Sequence, residues 1–167
     1  PSQVTNLENQ VRRVYEQYTR TSTRLGKYLH LSGVRDRNEV LFYRLLTSNL
    51  EEMLPIVYTP TIGEAIERFS HEFSRPRGVF LSIDHPESMA DAFRNFGLGP
   101  DEVDLVVVTD SEGILGIGDQ GIGGIQIAVG KLSVYTAAAG FHPRRAIPVV
   151  LDVGTDNLGL LSSEMYL

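Results

Sequence analysis

Cysteine is absent from this 167-residue sequence, and histidine is scarce. Without cysteine the chain can form neither a disulfide framework nor a thiolate zinc site. The four histidines, His30, His71, His85 and His142, lack the short spacing that is typical of zinc ligands. We therefore expect no metal site formed by this chain alone.

Basic charge and long apolar runs are also in short supply. The 15 lysines and arginines face 21 aspartates and glutamates, which gives a formal net charge of −6, and no basic stripe is visible. This composition argues against nucleic-acid binding. No apolar stretch approaches membrane-spanning length and no signal peptide opens the sequence, so we expect a cytoplasmic protein without membrane attachment.

The apolar content, 42%, is sufficient for one globular domain with a hydrophobic core. Residues 1–75 are predicted to be helical, and residues 76–167 are predicted to form an α/β part. In the first helix the apolar residues recur at three- and four-residue steps; they are Val4, Leu7, Val11, Val14 and Tyr18.

The helical part contains several predicted helix ends. Asp36 is expected to cap a helix that turns Val40, Leu41 and Leu45 inward. Pro55 is expected to end the following short helix. Thr61 and Glu64 have the spacing of a capping box at the start of the next helix.

Three strands are predicted in the second part, over residues 78–84, 103–110 and 146–154. The middle one is a near-continuous apolar run, which is typical of a strand buried on both faces. A helix opening at Pro86 and a glycine-rich segment leading into an apolar helix separate them. This alternation predicts an α/β fold, with a helical amino-terminal region followed by a small, mostly parallel sheet flanked by helices.

The glycine-rich segment, residues 114–131, contains the pattern G-x-G-x-x-G at Gly116, Gly118 and Gly121. A dinucleotide site with this pattern needs an acidic residue about 20 positions further on. The candidate here is Asp152, which comes 31 residues after Gly121. We therefore predict no cofactor-binding residue in the segment, and interpret its glycines as a close backbone approach to a neighbouring element or ligand.

Two polar residues have unusual surroundings. Lys131, one of only two lysines, lies among branched apolar residues, where it could be a poorly solvated general base or could extend from the helix edge to water. Tyr58 lies between Pro55 and Pro60 just before a helix, where it could donate a proton or only pack. The residue pattern leaves both alternatives open.

Four stretches together resemble one family. They are "LGKYLHLSGVRDRNEVLFYRLL", "EEMLPIVYTPTIGEA", "VVVTDSEGILGIGDQGIGG" with the following "VGKLSVYTAAAG", and "PVVLDVGTDN". In this order and spacing they are similar to the amino-terminal domain of the malic enzymes, over nearly the whole chain. The "GDQGIGG" form resembles the bacterial NAD-type members.

The resemblance implies oxidation and decarboxylation of L-malate to pyruvate and carbon dioxide, with NAD or NADP and with Mn²⁺ or Mg²⁺. It implies that Tyr58, in "YTPT", is the general acid that protonates the enolate carbon. It also implies that Lys131, in "GKL", is the general base that takes the proton of the malate hydroxyl. The metal is expected to stabilise the enolate charge.

The sequence departs from the family pattern in two respects. Gly113, in "SEGILG", stands where the family usually has an arginine that binds the substrate carboxylate, and glycine cannot make that bidentate contact. The chain also stops before the family's acidic metal ligands and its nicotinamide-binding Rossmann domain. We therefore expect the 167 residues alone to be inactive, to bind neither cofactor nor metal tightly, and to need a carboxy-terminal domain as partner.

Two alternative functions remain at this point. These motifs do not exclude a malolactic enzyme, a relative that converts malate directly to lactate. A stand-alone binding or regulatory module is the other alternative, with Gly113 as a sign of lost catalysis. In either case, the family resemblance implies a homo-oligomer that pairs through an apolar helical surface.

Overall fold

The computed structural model describes residues 6–75 and 77–167, so the expectations for Val4 and for the boundary at Pro76 lie outside the described residues. Five helices come first: α1 (Leu7–Arg20), α2 (Arg24–Arg37), α3 (Glu39–Ser48), α4 (Leu50–Val57) and α5 (Thr61–Glu67). The α/β elements follow: β1 (Val79–Ser82), α6 (Met89–Phe96), β2 (Leu105–Thr109), α7 (Ile125–Ala139), β3 (Ala146–Asp152) and α8 (Leu158–Leu161). The predicted fold class is confirmed.

The three strands form one parallel sheet in the order β1-β3-β2. Val79 pairs with Val149 on one side of β3, and Leu105 pairs with Ala146 on the other. The strand that comes last in the sequence is therefore the central one, and its first five residues are buried. Parallel strands bring their carboxyl ends to one edge of the sheet, which is where α/β proteins place ligand sites.

Helix α7 lies between the helical region and the sheet. Ile125 and Val129 pack with Val150 of β3, while Ile127 packs against the core of the helical region. Across the same boundary the Tyr28 hydroxyl donates to Gln126 Oε1 at 2.8 Å, and both side chains are buried. One apolar helix thus joins the two parts of the chain.

The predicted cap at Asp36 is wrong. Asn38 begins α3, and its side chain accepts a hydrogen bond from the Leu41 N–H at 3.0 Å. Asp36 instead lies inside α2 and accepts from Arg77 Nε at 2.9 Å. This shift of the helix start also leaves Val40 63% exposed, whereas Leu41 and Leu45 are buried as predicted.

The two expectations around Pro55 are also wrong. Helix α4 continues through Pro55 to Val57, because Met53, Ile56 and Val57 are buried on either side of the proline and their packing outweighs the lost N–H donor. Thr61 does not cap α5. Its hydroxyl donates to the Pro55 carbonyl at 2.6 Å, which links the start of α5 to the last turn of α4.

Strand β2 is not buried on both faces. It lies at an edge of the sheet, and Val106 and Val108 are 43% and 52% exposed. These residues pair with Ile147 and Val149, on the face where α6 covers only the other two strands. A continuous apolar run therefore did not imply two covered faces. No helix among the described residues is long and apolar enough to cross a membrane, and the expected cytoplasmic location stays a prediction.

Candidate active site

Tyr58 stands at the junction of two short helices. It is the C-cap of α4, with its N–H bonded to the Leu54 carbonyl at 2.9 Å. Its own carbonyl accepts from the Ile62 N–H in α5, also at 2.9 Å. Both backbone groups are thus held by regular helices, and the half-buried ring packs against the core of the helical region. This is the rigid mount that a proton donor requires.

Helix α7 approaches Tyr58 closely at Gly130. A Cβ on Gly130 would lie 3.0 Å from Tyr58 Cδ2 and 3.1 Å from the Val57 carbonyl oxygen. Any side chain at this position would push Tyr58 or α7 away. Lys131 follows Gly130 directly, so the contact between α4 and α7 brings the two predicted catalytic residues to neighbouring positions.

The polar groups of the two predicted catalytic side chains have no partners within the described part of the chain. Lys131 is half-buried on α7, as Tyr58 is at the end of α4. Within residues 6–75 and 77–167, neither the Lys131 ammonium nor the Tyr58 hydroxyl has a hydrogen-bonding or ion-pair partner. Both groups therefore remain available to a substrate that binds beside them.

Gly113 lies in the loop that leaves the carboxyl end of β2. The loop is held by Ile114, which is buried in the helical core and pairs with Gly118 in an isolated bridge. Gly113 itself is exposed, and a Cβ there would have no heavy atom within 4 Å. The structure thus has room for a larger side chain at the position where the family pattern has arginine.

The glycines of the G-x-G-x-x-G pattern do not share one role. Gly121 has a positive φ of 53°, and a Cβ there would overlap the Tyr166 hydroxyl. That hydroxyl accepts from the Ile122 N–H at 3.2 Å, close to the start of α7. The interpretation as a close backbone approach therefore holds at Gly121, where the neighbouring element is the segment around Tyr166.

Asp119 is a residue that the sequence analysis missed. One of its carboxylate oxygens accepts from the Thr155 hydroxyl and from the Asp156 N–H, both at 2.7 Å. The other accepts from the Gly121 N–H at 2.9 Å. Asp119 thus ties the glycine loop to the segment after β3. The signal was an aspartate two residues before a glycine, the spacing of a side-chain turn.

These hydrogen bonds also set the acidity of Asp119. Partial burial raises the pKa of the carboxyl group, but hydrogen bonds from the Thr155 hydroxyl and the backbone N–H groups outweigh that effect. The pKa of Asp119 is therefore lowered from its ordinary value, and the side chain is a carboxylate at neutral pH.

The part of the chain that the structure describes holds no group of three or more histidine, cysteine, aspartate or glutamate side chains that could hold a metal ion. The Tyr58–Lys131 site therefore does not fit a divalent metal by its own residues.

A family model described as "Malic enzyme, N-terminal domain" matches residues 35–167. The chain belongs to the malic enzyme family. The matched residues include Tyr58, Gly113 and Lys131, and so cover the whole candidate site of this malic enzyme domain.

Bacterial relatives match the malic enzyme domain along its whole length. NAD-dependent malic enzyme 3 of Bacillus subtilis is 54% identical over 166 residues, which are 99% of this chain and 29% of the relative. The NAD-dependent malic enzymes of Pseudomonas savastanoi and Idiomarina loihiensis are each 48% identical over 167 residues, or 100% of this chain and 29% of the relative. The chain thus spans less than a third of the length of the curated relatives that it matches.

Proposed function

We propose that this domain supplies the proton-transfer groups for the oxidation and decarboxylation of L-malate. Lys131 takes the proton of the malate hydroxyl as the alcohol is oxidised. After carbon dioxide has left, Tyr58 donates a proton to the enolate carbon, which yields pyruvate. General acid and base catalysis of this kind typically contributes about 10² to 10⁴ in rate.

The observation that carries this proposal is the contact between α4 and α7 at Gly130. It holds a half-buried tyrosine and a half-buried lysine at neighbouring positions, both without partners among the described residues. The family resemblance implies the catalytic roles of these two residues.

NAD is the oxidant that we propose, because the relatives are named NAD-dependent malic enzymes. We propose that parts of the whole protein beyond these 167 residues bind the dinucleotide and the divalent metal, which when bound would stabilise the enolate charge. In this proposal residues 1–167 form one amino-terminal domain, which is inactive alone and requires a carboxy-terminal partner domain.

Gly113 gives the proposed site a specific weakness. The family arginine at this position would hold the substrate carboxylate with two hydrogen bonds, and glycine offers none. We propose that malate binds this protein with fewer direct contacts at its carboxylate than an arginine-bearing relative provides. The open space beside Gly113 supports this proposal.

The experiment is a product assay on the whole protein, including any sequence beyond residue 167, with residues 1–167 as a second sample. We expect malate-dependent NADH formation with pyruvate as product from the whole protein, and no NADH from residues 1–167. Lactate without net NADH would instead identify a malolactic enzyme. NADH formation by residues 1–167 would contradict the proposed division of the site between two domains.

Copies of the protein are also proposed to pair through the helical region, as the family resemblance implies. The surface feature that supports this is Val40, a branched apolar residue that is 63% exposed near the start of α3. Phe73, just after the last turn of the helical region, is fully exposed. Apolar surface of this kind is a common part of subunit interfaces.

A further inference from the structure

A cavity in the described part of the chain is lined by residues other than Tyr58 and Lys131. Its volume is about 560 Å³, within the range of sites for small organic ligands. One wall comes from α7, through Val129, Leu132, Ser133 and Thr136. These residues recur at three- and four-residue steps and so share one face of the helix. Lys131 lies about 150° around the helix axis from that face.

Four arginines line this cavity: Arg35, Arg75, Arg77 and Arg144. Glu39 is the one carboxylate among its lining residues. Even if Asp36, which pairs with Arg77, is added, four positive charges face two negative ones, which leaves a surplus of two. This surplus is local, since the chain as a whole carries a net charge of −6.

Arg35 is the decisive residue in this cluster. It is only 7% exposed, and its Nη1 donates to Ser133 Oγ at 3.1 Å. Its buried Nε has no acceptor, and within residues 6–75 and 77–167 no carboxylate lies within 4 Å of its guanidinium. A buried charge without a counter-charge is costly, so a structure that keeps one usually has a ligand or ion to pair with it.

A second polar atom at the cavity is also unsatisfied. The Thr136 hydroxyl is buried and has no hydrogen-bonding partner in the described part of the chain. It lies on α7 one turn beyond Ser133, which binds Arg35. Two orphaned buried polar groups therefore belong to one cavity, and both guanidinium and hydroxyl groups donate to oxyanions.

Apart from Asn95 and Tyr43, the rest of the lining is apolar. Phe96 and Leu98 from the region of α6 face Leu132 of α7 across the cavity. An inorganic ion would leave most of this volume and all of this apolar surface unused. The ligand that fits is an organic anion whose charged group reaches the arginines and whose body contacts these side chains.

We propose that this cavity is a second ligand site, which binds a metabolite-sized organic anion bearing a phosphate or carboxylate group. Arg35 and Arg144 contact the oxyanion. The lining of this second site does not include Tyr58, Gly113 or Lys131. Ligand binding there can therefore be tested whether or not the proposed reaction is correct.

The test is isothermal titration calorimetry with the whole protein at constant ionic strength, using phenyl phosphate, benzoate and inorganic phosphate as probes. Phenyl phosphate and benzoate have the same apolar body, so their relative affinities identify the preferred oxyanion. We expect one of them to bind, and to bind at least about tenfold more tightly than inorganic phosphate.

Three variants assign the binding to this cavity. Arg144→Ala and Arg35→Met should each weaken binding about tenfold or more, the usual loss for one charge-assisted hydrogen bond. The matched control is Arg44→Ala, which removes an arginine of α3 that pairs with Glu8 of α1 and does not line the cavity. It should leave the affinity unchanged. Arg144 and Arg44 are both largely exposed, with side-chain exposures of 77% and 50%, so neither change should unfold the protein.

Either of two results overturns the proposal. One is the absence of binding of all three probes at millimolar concentration to the whole protein, which would mean that other parts of that protein fill the cavity. The other is an equal loss of affinity in Arg44→Ala and Arg144→Ala, which would reduce the effect to overall charge. If Arg35→Met does not fold, the affinities of Arg144→Ala and Arg44→Ala are sufficient to show whether the ligand binds in this cavity.

Discussion

Gly113 is the residue at which this malic enzyme domain differs most informatively from its family's pattern. Replacing Gly113 with arginine restores the missing guanidinium, and the structure has space for it. We expect the KM for malate to fall about tenfold in the whole protein, because a bidentate carboxylate contact is worth roughly 1.5–3 kcal/mol. Steady-state kinetics over a range of malate concentrations measure this change.

The control for this change is Gly116→Arg. Gly116 lies in the same exposed loop and also has no heavy atom within 4 Å of a Cβ, so it receives the same charge at nearly the same place. An equal fall in KM in both variants would show that added positive charge, rather than the position of the arginine, attracts malate.

The sequence left two alternatives for each of Tyr58 and Lys131, a catalytic role and a packing role, and the reason is physical. A lysine among apolar residues and a tyrosine near prolines are each compatible with packing, because sequence spacing does not show which groups find partners. The feature that supports the proposed roles is the close contact between Tyr58 and Gly130, which are 72 positions apart in the chain. Such a contact is a property of the folded chain and has no local signal.

At the level of elements, the junction of α4 and α7 is the part of the fold on which the site depends most. We expect Gly130→Ala to move the Tyr58 ring, because the new Cβ would lie 3.0 Å from Tyr58 Cδ2. Overpacking of this kind costs about 1–3 kcal/mol in unfolding free energy. The displacement of the Tyr58 ring should also lower kcat, by more than the loss of folded protein alone would explain. Denaturant unfolding and kcat, measured on the same variant, test this.

A matched control is available in Gly63→Ala. Gly63 also lies in a helix beside Tyr58, but a Cβ there would meet no heavy atom within 4 Å. Its replacement should leave kcat unchanged and stabilise α5 slightly. A comparable loss of kcat in the two variants would mean that helix rigidity, and not the contact with Tyr58, matters.

Asp119 links the glycine loop to the segment after β3, and this link should depend on pH. Folding lowers the pKa of Asp119, so its stabilising effect is complete above the unfolded value of about 3.9 and is lost as the pH falls through the folded value. Asp119→Asn should therefore destabilise the protein at pH 7 by about 1–3 kcal/mol, and the difference from the wild type should shrink below pH 4.

Thermal unfolding of both proteins from pH 7 to pH 3 measures this difference. Asp156→Asn is the control, because Asp156 is exposed and contributes its backbone N–H to the link. A difference in stability between the wild type and Asp119→Asn that is the same at every pH would contradict this role of the Asp119 carboxylate.

Most helices and strands could be predicted from the sequence. Their ends, and the order of the strands in the sheet, were harder to predict. The strands and α7 followed from apolar runs, but the run in β2 could not reveal an edge position, since strand order depends on the crossovers. The cap at Asn38 could not be told from one at Asp36 by residue type, because asparagine and aspartate are equally good N-caps. The passage of α4 through Pro55 depended on tertiary packing, which local patterns do not contain.

At the scale of the whole molecule, the proposed pairing of subunits can be tested at Val40. We expect the whole protein to sediment as a dimer or a larger oligomer, and Val40→Glu to shift it toward monomer by placing a charge in the interface. Ile83→Glu is the control, because Ile83 is equally exposed, at 64% against 63%, but lies outside the helical region. A wild type that sediments only as monomer contradicts the pairing.

The central claim is that one amino-terminal domain provides both proton-transfer groups for malate oxidation and decarboxylation. Its most direct test is kcat for malate in the whole protein with Lys131→Met or Tyr58→Phe. The controls are Lys27→Met, which replaces the other lysine of the chain, and Tyr135→Phe, which changes an exposed tyrosine of α7. We predict a loss of about 10² to 10⁴ in kcat for each of the first two variants, and less than about twofold for the controls. Retention of wild-type kcat by folded Lys131→Met or Tyr58→Phe would contradict the claim.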